Sequence, residues 1–262
     1  MTQPHPGRFS PLADGFAFNN SWPSAPAVSV PTPFGSIGIG NAASGLCGGM
    51  VFAALDYWHA QVVPPVARPA PGSPLYQFIV RRLIDSWHIP AGVAQYYQWM
   101  NLPDGDASLT VLGRSVVSQR GLSWRTIEQQ WPEVRSSLDA GVPAALGLVT
   151  AAGANPAQLG HNHQALACGY QIAGTEVTVQ VYDPNSGPDN GVHIQFDTSD
   201  PTAATTFRHS LNIGFPIRGF FLTAYAPVPP PATAGSGAAV RPASAVQPTS
   251  VIRPQPTVGP AG

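Results

Sequence analysis

The hydrophobic period of the chain changes once, after Gly141, and that change limits the fold more than any other feature. Before it, apolar residues recur at three- and four-residue spacing; after it come five short runs that alternate or stay continuously apolar. VPAALGLVT, HQALACGYQIAG, EVTVQVYD, GVHIQFDT and IRGFFLTAYA each read as a strand, and Ala173-Gly174-Thr175 predicts a hairpin between the second and third. Helices first and a mostly antiparallel sheet afterwards define an α+β chain.

The helical half begins at Cys47 and runs to about Val62, with Val51, Leu55 and Trp58 on one stripe. Pro74 opens LYQFIVRRLIDSWHI, which places Leu75, Phe78, Ile79, Leu83 and Trp87 on one face. AGVAQYYQWM and SLTVLGRSVVSQR are expected as a third and fourth helix. WPEVRSSLDAG has Pro132 in its first turn and Gly141 past its end, the usual asymmetry of a helix. The tryptophans Trp58, Trp87, Trp99, Trp124 and Trp131 are expected in the packing between these elements. Asp56 is expected on a solvated or interhelical face, and Arg81-Arg82 on a charged helix face.

Composition sets the outer boundaries. Residues 1 to about 14 read as a flexible polar arm, residues 15–226 as the folded domain, and residues 227–262 as a disordered Pro/Ala-rich tail. The tail has no acidic and no aromatic residue. A solvated tail is the simplest reading, and a tether to a partner is the functional one. GFAFNNSWP suggests an extended cover over the core, and GSIGIGN a flexible approach to Cys47. A formal net charge of −1 over 262 residues gives no electrostatic reason to expect nucleic acid as partner. No run reaches the roughly 18 apolar residues of a membrane helix, and MTQPHPGRFSPLADGF lacks the apolar core of a secretory signal. The expectation is a cytoplasmic chain, or one exported by a specialised route.

The chemistry gathers around GLCGGM. A thiol placed at a helix start gains from the helix N-terminus, and a nearby imidazole is its usual activator. The two glycines after Cys47 are expected to leave room for a substrate backbone and to keep first-turn N–H groups available. GHNHQALACGY brings His161 and His163, two apart, to the start of a strand. If the hairpin pairs its two strands, Asp183 in VYDPNSG ends near that imidazole. Asp183 could equally just open the Asp–Pro turn, and Asn185 is the alternative orienter. His161 and His163 with Cys47 or Asp183 could also be read as a metal site, but no further ligand motif accompanies them. His161 reads better as a polar residue at a cleft rim, and Cys168, mid-strand, as an inert core thiol.

These motifs together resemble the papain-like cysteine peptidases. The shared residues are Gly45-Leu46-Cys47, His163 followed six residues later by Gly169-Tyr170, and Tyr182-Asp183-Pro184-Asn185. The later half looks closest to the bacterial bacteriocin-processing (double-glycine) branch. The resemblance implies Cys47 as nucleophile, His163 as general base and then acid, and Asp183 as orienter. It also implies Asn41, six residues before Cys47, as the oxyanion-hole side chain. A peptide or protein is then the substrate, and neither metal nor organic cofactor is required. Asn41 stands where the family commonly has Gln, and Gly48 where it often has an aromatic residue. Two further readings therefore stay open: acyl transfer or deamidation by the same triad, and a catalytically weak binding or effector module.

Overall fold

The computed structural model describes residues 8–22, 28–32, 35–39, 45–88, 90–112, 114–211 and 213–232. It is a mixed α+β fold in which helices cover a curled antiparallel sheet. The helices are α1 (Pro11–Asp14), α2 (Cys47–His59), α3 (Pro74–Ser86) and α4 (Ala91–Met100). A further helix starts as α5 (Leu122–Trp124), passes through a π-helical turn (Arg125–Gln130) and continues as α6 (Trp131–Asp139). The strands are β1 (Val28–Thr32), β2 (Gly35–Ile39), β3 (Ala107–Val111), β4 (Arg114–Gln119), β5 (Ala144–Val149) and β6 (His163–Ala173). After them come β7 (Glu176–Tyr182), β8 (His193–Asp197), β9 (Arg208–His209) and β10 (Gly219–Leu222). The main sheet has the order β10-β5-β6-β7-β8-β9, and every neighbouring pair in it is antiparallel.

The five predicted runs after Gly141 supply β5, β6, β7, β8 and β10. β5 is continuously apolar because it lies in the middle of the sheet with both faces covered; all six of its residues are buried. On one side Ala145, Leu166 and Tyr182 pack against α2 and α3. On the other, Leu146, Ala165, Ala167 and Val181 pack against Val134 and Leu138 of α6. The π turn ties its helix to the open edge of β10. Thr126 Oγ1 accepts the Phe220 N–H at 3.2 Å and Gln130 Oε1 accepts the Leu222 N–H at 2.8 Å, so two side chains one turn apart satisfy an edge strand.

α2 is buried on all sides, from Gly48 through Trp58, and not along one stripe as its periodicity suggests. Its two glycines explain how. A Cβ on Gly49 would lie 2.1 Å from the carbonyl oxygen of Ile79, and one on Gly48 would lie 2.4 Å from Ser86 Oγ and 2.7 Å from the Gln164 amide. Both positions face the interior, where α3 and β6 press against the helix start. The expectation that these glycines open a path for substrate is therefore corrected: they permit close packing behind Cys47. Asp56 and Arg82 are likewise interior. Arg82 Nε sits 2.7 Å from Asp56 Oδ2, both side chains are almost fully enclosed, and the solvated alternative for this face does not hold.

Four other expectations change. SLTVLGRSVVSQR is the β3–β4 hairpin and not a helix; Leu109 pairs with Val116 and Val111 with Arg114. Leu109, Leu112 and Val116 have helix-like spacing, but Thr110, Val111, Val116 and Val117 favour extended backbone, and Leu112 adopts φ +50° at the turn. GSIGIGN contributes β2, paired with β1, rather than a flexible approach. The arm is not free from residue 8 onward, because Phe9 is buried against Trp58 and Tyr182. At the other end, the Val228 N–H donates to Asp56 Oδ1 at 2.9 Å and the Tyr57 hydroxyl to the Pro231 carbonyl, so the packed chain extends past residue 226. Residues 233–262 of the expected tail lie outside the described residues. Among the described residues no helix is long and apolar enough to cross a membrane.

Candidate active site

Three elements deliver the central groups. Cys47 is the first residue of α2 and half-buried. His163 is the first residue of β6, and Asp183 follows the last residue of β7. β6 and β7 are antiparallel with Leu166 opposite Tyr182, so the start of one lies beside the end of the other. The Asp–Pro turn then holds the carboxylate: the Asn185 N–H donates to Asp183 Oδ1 at 2.8 Å. The His163 Nε2–H donates to Asp183 Oδ2 at 2.9 Å. Cys47, at the start of α2, is near enough to the same imidazole to favour its charged form. With Nε2 committed to the carboxylate, Nδ1 is the nitrogen left for sulfur. The structure thus gathers Cys47, His163 and Asp183 in one cluster.

Burial acts against the charged imidazole, yet the charges of Asp183 and Cys47 and the hydrogen bonds to both outweigh it. His163 is held well above the usual 6.5. Burial also pushes the Asp183 carboxyl up, but the His163 charge and imidazole hydrogen bonds dominate and hold it well below its usual 3.8. These shifts set the sign of a pH effect. A depressed carboxyl stabilises the fold fully above its unfolded-state value, and that stability is lost as pH falls through the folded value. A raised imidazole stabilises fully below its unfolded-state value, and that stability is lost as pH rises through the folded one. Both describe a single pair, counted once. The stability difference between the natural chain and Asp183→Asn, from urea unfolding, should be largest between 3.8 and 6.5 and shrink on both sides. A pH-independent difference would mean that the pair is not coupled to folding.

Neighbours fix the approach of the two strands and the helix. The Tyr96 hydroxyl, on α4, donates to the His163 carbonyl at 3.3 Å and fits there because Gly147 has no side chain. Burial first, and the nearby Cys47 second, raise its pKa well above 10. Behind Gly48, the Gln164 amide donates to Ser86 Oγ at 3.2 Å, and Ser86 donates to the Leu83 carbonyl at 2.8 Å. On the other side Asn20 joins the two loops of the site. Its Oδ1 accepts the Leu46 N–H at 2.9 Å, and its N–H donates to the Pro184 carbonyl at 2.7 Å. GFAFNNSWP is therefore more than a cover, since it clamps the entry to α2 against the Asp–Pro turn.

The remaining candidates are placed as follows. Asn185 is exposed; its Oδ1 accepts from the Asn20 amide at 3.3 Å, and Asp183 takes the place beside the imidazole. Asn41 lies outside the described residues. His161 belongs to a 3-10 turn (Pro156–His161) before β6 and stacks on Phe215 at 5.0 Å, so the face-sharing of strand residues does not apply to it. Among the described residues no group of three or more His, Cys, Asp and Glu side chains is disposed to hold a metal ion. Cys168 is the extra residue of a bulge in β6 between Ala167 and Gly169. Its thiol donates to the Gln180 carbonyl, and burial first, then Asp14, push its pKa up to about 12.

The residue nearest Asp183 after His163 is not marked by any motif. His209, on the two-residue strand β9, has Nε2 3.0 Å from Asp183 Oδ2 with its side chain almost completely enclosed. RHSLN has no punctuation or spacing that marks it; only the sheet order brings it there. Compared with known proteins, the chain matches no family model, no curated protein and no solved structure.

Proposed function

We propose that this chain is a papain-like cysteine hydrolase acting on an amide bond of a peptide or protein. The observation that carries the reading is the relay from Cys47 through His163 to a buried, hydrogen-bonded Asp183. In this mechanism the Cys47 sulfur attacks the amide carbonyl carbon and forms a C–S bond. The oxyanion develops beside the first turn of α2, whose N–H groups have no intrahelical acceptor. His163 then passes its proton to the leaving nitrogen as the C–N bond breaks, which leaves a thioester on Cys47. The neutral imidazole removes a proton from water, whose oxygen attacks the thioester; the acid product leaves and the sulfur is regenerated. Asp183 stays ionised throughout and keeps the imidazole in its productive tautomer.

A peptide carrying a thiol-directed electrophile tests the assignment. Labelling of the full chain should fall on Cys47 and disappear in Cys47→Ala, while Cys168→Ala labels as the natural chain does. Labelling that survives Cys47→Ala and is lost in Cys168→Ala would overturn the proposal.

A further inference from the structure

The Asp183 carboxylate is fully enclosed and faces two imidazoles rather than one. His163 Nε2 lies 2.9 Å and His209 Nε2 3.0 Å from the same oxygen, Oδ2, and the side chains are 10%, 3% and 0% exposed for His163, His209 and Asp183. The His209 approach is oblique, so its N–H is not in line with the oxygen, and among the described residues it has no other acceptor. Its tautomer is fixed from the other side, because Nδ1 accepts the Leu211 N–H at 3.0 Å. The ring proton therefore sits on Nε2, toward Asp183. The surrounding backbone is built to hold this ring. β9 has only two residues, paired at the sheet edge as His209 opposite Ile194. The Ser210 N–H donates to the His193 carbonyl at 2.9 Å, and the His193 N–H to Ser210 Oγ at 2.9 Å.

A buried carboxylate with one imidazole partner has an alternative to the ion pair: it can take the proton itself and become neutral, because an enclosed charge is costly. A second fixed N–H makes that transfer unfavourable. We infer that His209 is a positioning residue of this site, which keeps Asp183 ionised and aimed at His163 while His163 gains and loses its proton. This role rests on the proposed relay and goes beyond a triad, since the third member would be held by a fourth. Among the described residues, the titratable groups near His209 include Asp183 at the end of β7, His163 on β6 and His193 on β8. The last turns its Nδ1 to the Gly191 carbonyl at 2.8 Å and does not compete for the carboxylate.

Two isosteric amides separate this role from structural support of the loop. The side chain of His209→Gln reaches the position of Nε2 and keeps a donor toward Asp183, but loses the acceptor for Leu211. His209→Asn reaches only the position of Nδ1, so it keeps the Leu211 bond and loses the carboxylate contact. The readout is the rate of Cys47 alkylation by iodoacetamide across the pH range in which imidazole titrates, followed by mass spectrometry on the full chain, with melting temperatures on the same samples. His209→Asn should react about tenfold more slowly than the natural chain near neutral pH, the effect of about one pKa unit on the imidazole once Asp183 loses its second N–H neighbour. Its acid limb should move toward neutral, and His209→Gln should recover most of the rate. Equal rates in the two variants, or a faster His209→Asn, would overturn the inference. His163→Ala serves as the reference. If it alkylates as fast as the natural chain, the relay itself fails; if it is slowed while His209→Asn is not, only the role of His209 falls.

Discussion

Alanine in place of His163 is expected to slow the alkylation of Cys47 near neutral pH by about a hundredfold, the lower range for loss of a positioned acid–base group. The reason lies in the geometry around the ring. His163 has Cys47 near it on one side and donates to Asp183 at 2.9 Å on the other, and both neighbours favour its charged form. Removing it deprives the sulfur of a proton acceptor and of a positive neighbour together. The backbone change should be small, because the Tyr96 hydroxyl donates to the main-chain carbonyl of residue 163 and not to the ring. The variant should lose some stability as Asp183 loses its main partner, with His209 still beside the carboxylate, so the rate is read on a folded sample. A rate within about threefold of the natural chain, in a sample with native circular dichroism, would separate Cys47 from His163 and remove the basis for a thiol hydrolase.

Asp56→Ala should cost about 3–5 kcal/mol of stability, because it leaves the buried Arg82 with only the half-exposed Asp85 as counter-charge. Arg82 is enclosed by Phe52 and Tyr225, whose rings lie 5.0 and 5.4 Å from its guanidinium carbon. Besides Asp56, it has the Ala226 carbonyl at 2.9 Å and Asp85 at 2.8 Å. Asp56 also accepts the Tyr225 hydroxyl at 2.7 Å and the Val228 N–H at 2.9 Å, and so binds the exit of the sheet to α2. Burial raises the Asp56 carboxyl pKa, and the bonds from Val228, Tyr225 and Arg82 offset only part of that. The intact pair thus adds little net stability; the cost arises when one partner is removed. Asp56→Leu combined with Arg82→Met should consequently cost less than Asp56→Ala alone, although the Val228 N–H and Tyr225 hydroxyl lose their acceptor. Urea midpoints with unchanged slopes would measure both. A loss below about 1 kcal/mol for Asp56→Ala would show that water reaches Arg82.

The parts of this architecture that could be read from sequence were those marked by local punctuation. The period change after Gly141 and the Ala173-Gly174-Thr175 turn marked five strands of the main sheet; the two-residue β9 carried no such signal. The Gly-rich entry to Cys47 and the Asp–Pro turn after Tyr182 marked the ends of α2 and β7. Interior contacts were harder. Gly48 and Gly49 looked like room for substrate, because a missing side chain does not reveal which neighbour occupies its space; Ile79, Ser86 and Gln164 do. The β3–β4 hairpin was misread because five exposed apolar residues there follow no core-facing alternation. His209, Asn20 and Tyr96 reach the site through tertiary packing alone. No motif marks the role of any of them: Asn20 lies in GFAFNNSWP, which reads only as a cover, and spacing does not show which loops it joins.

The most direct measurement of the proposed relay is the NMR titration of the His163 ring in the natural chain, Cys47→Ala and Asp183→Asn. The arrangement of sulfur, imidazole and carboxylate predicts that this ring stays protonated above 6.5 in the natural chain and shifts back toward that value in each variant. A His163 titration that Cys47→Ala leaves unchanged would contradict it, because the thiol and the imidazole would then be strangers.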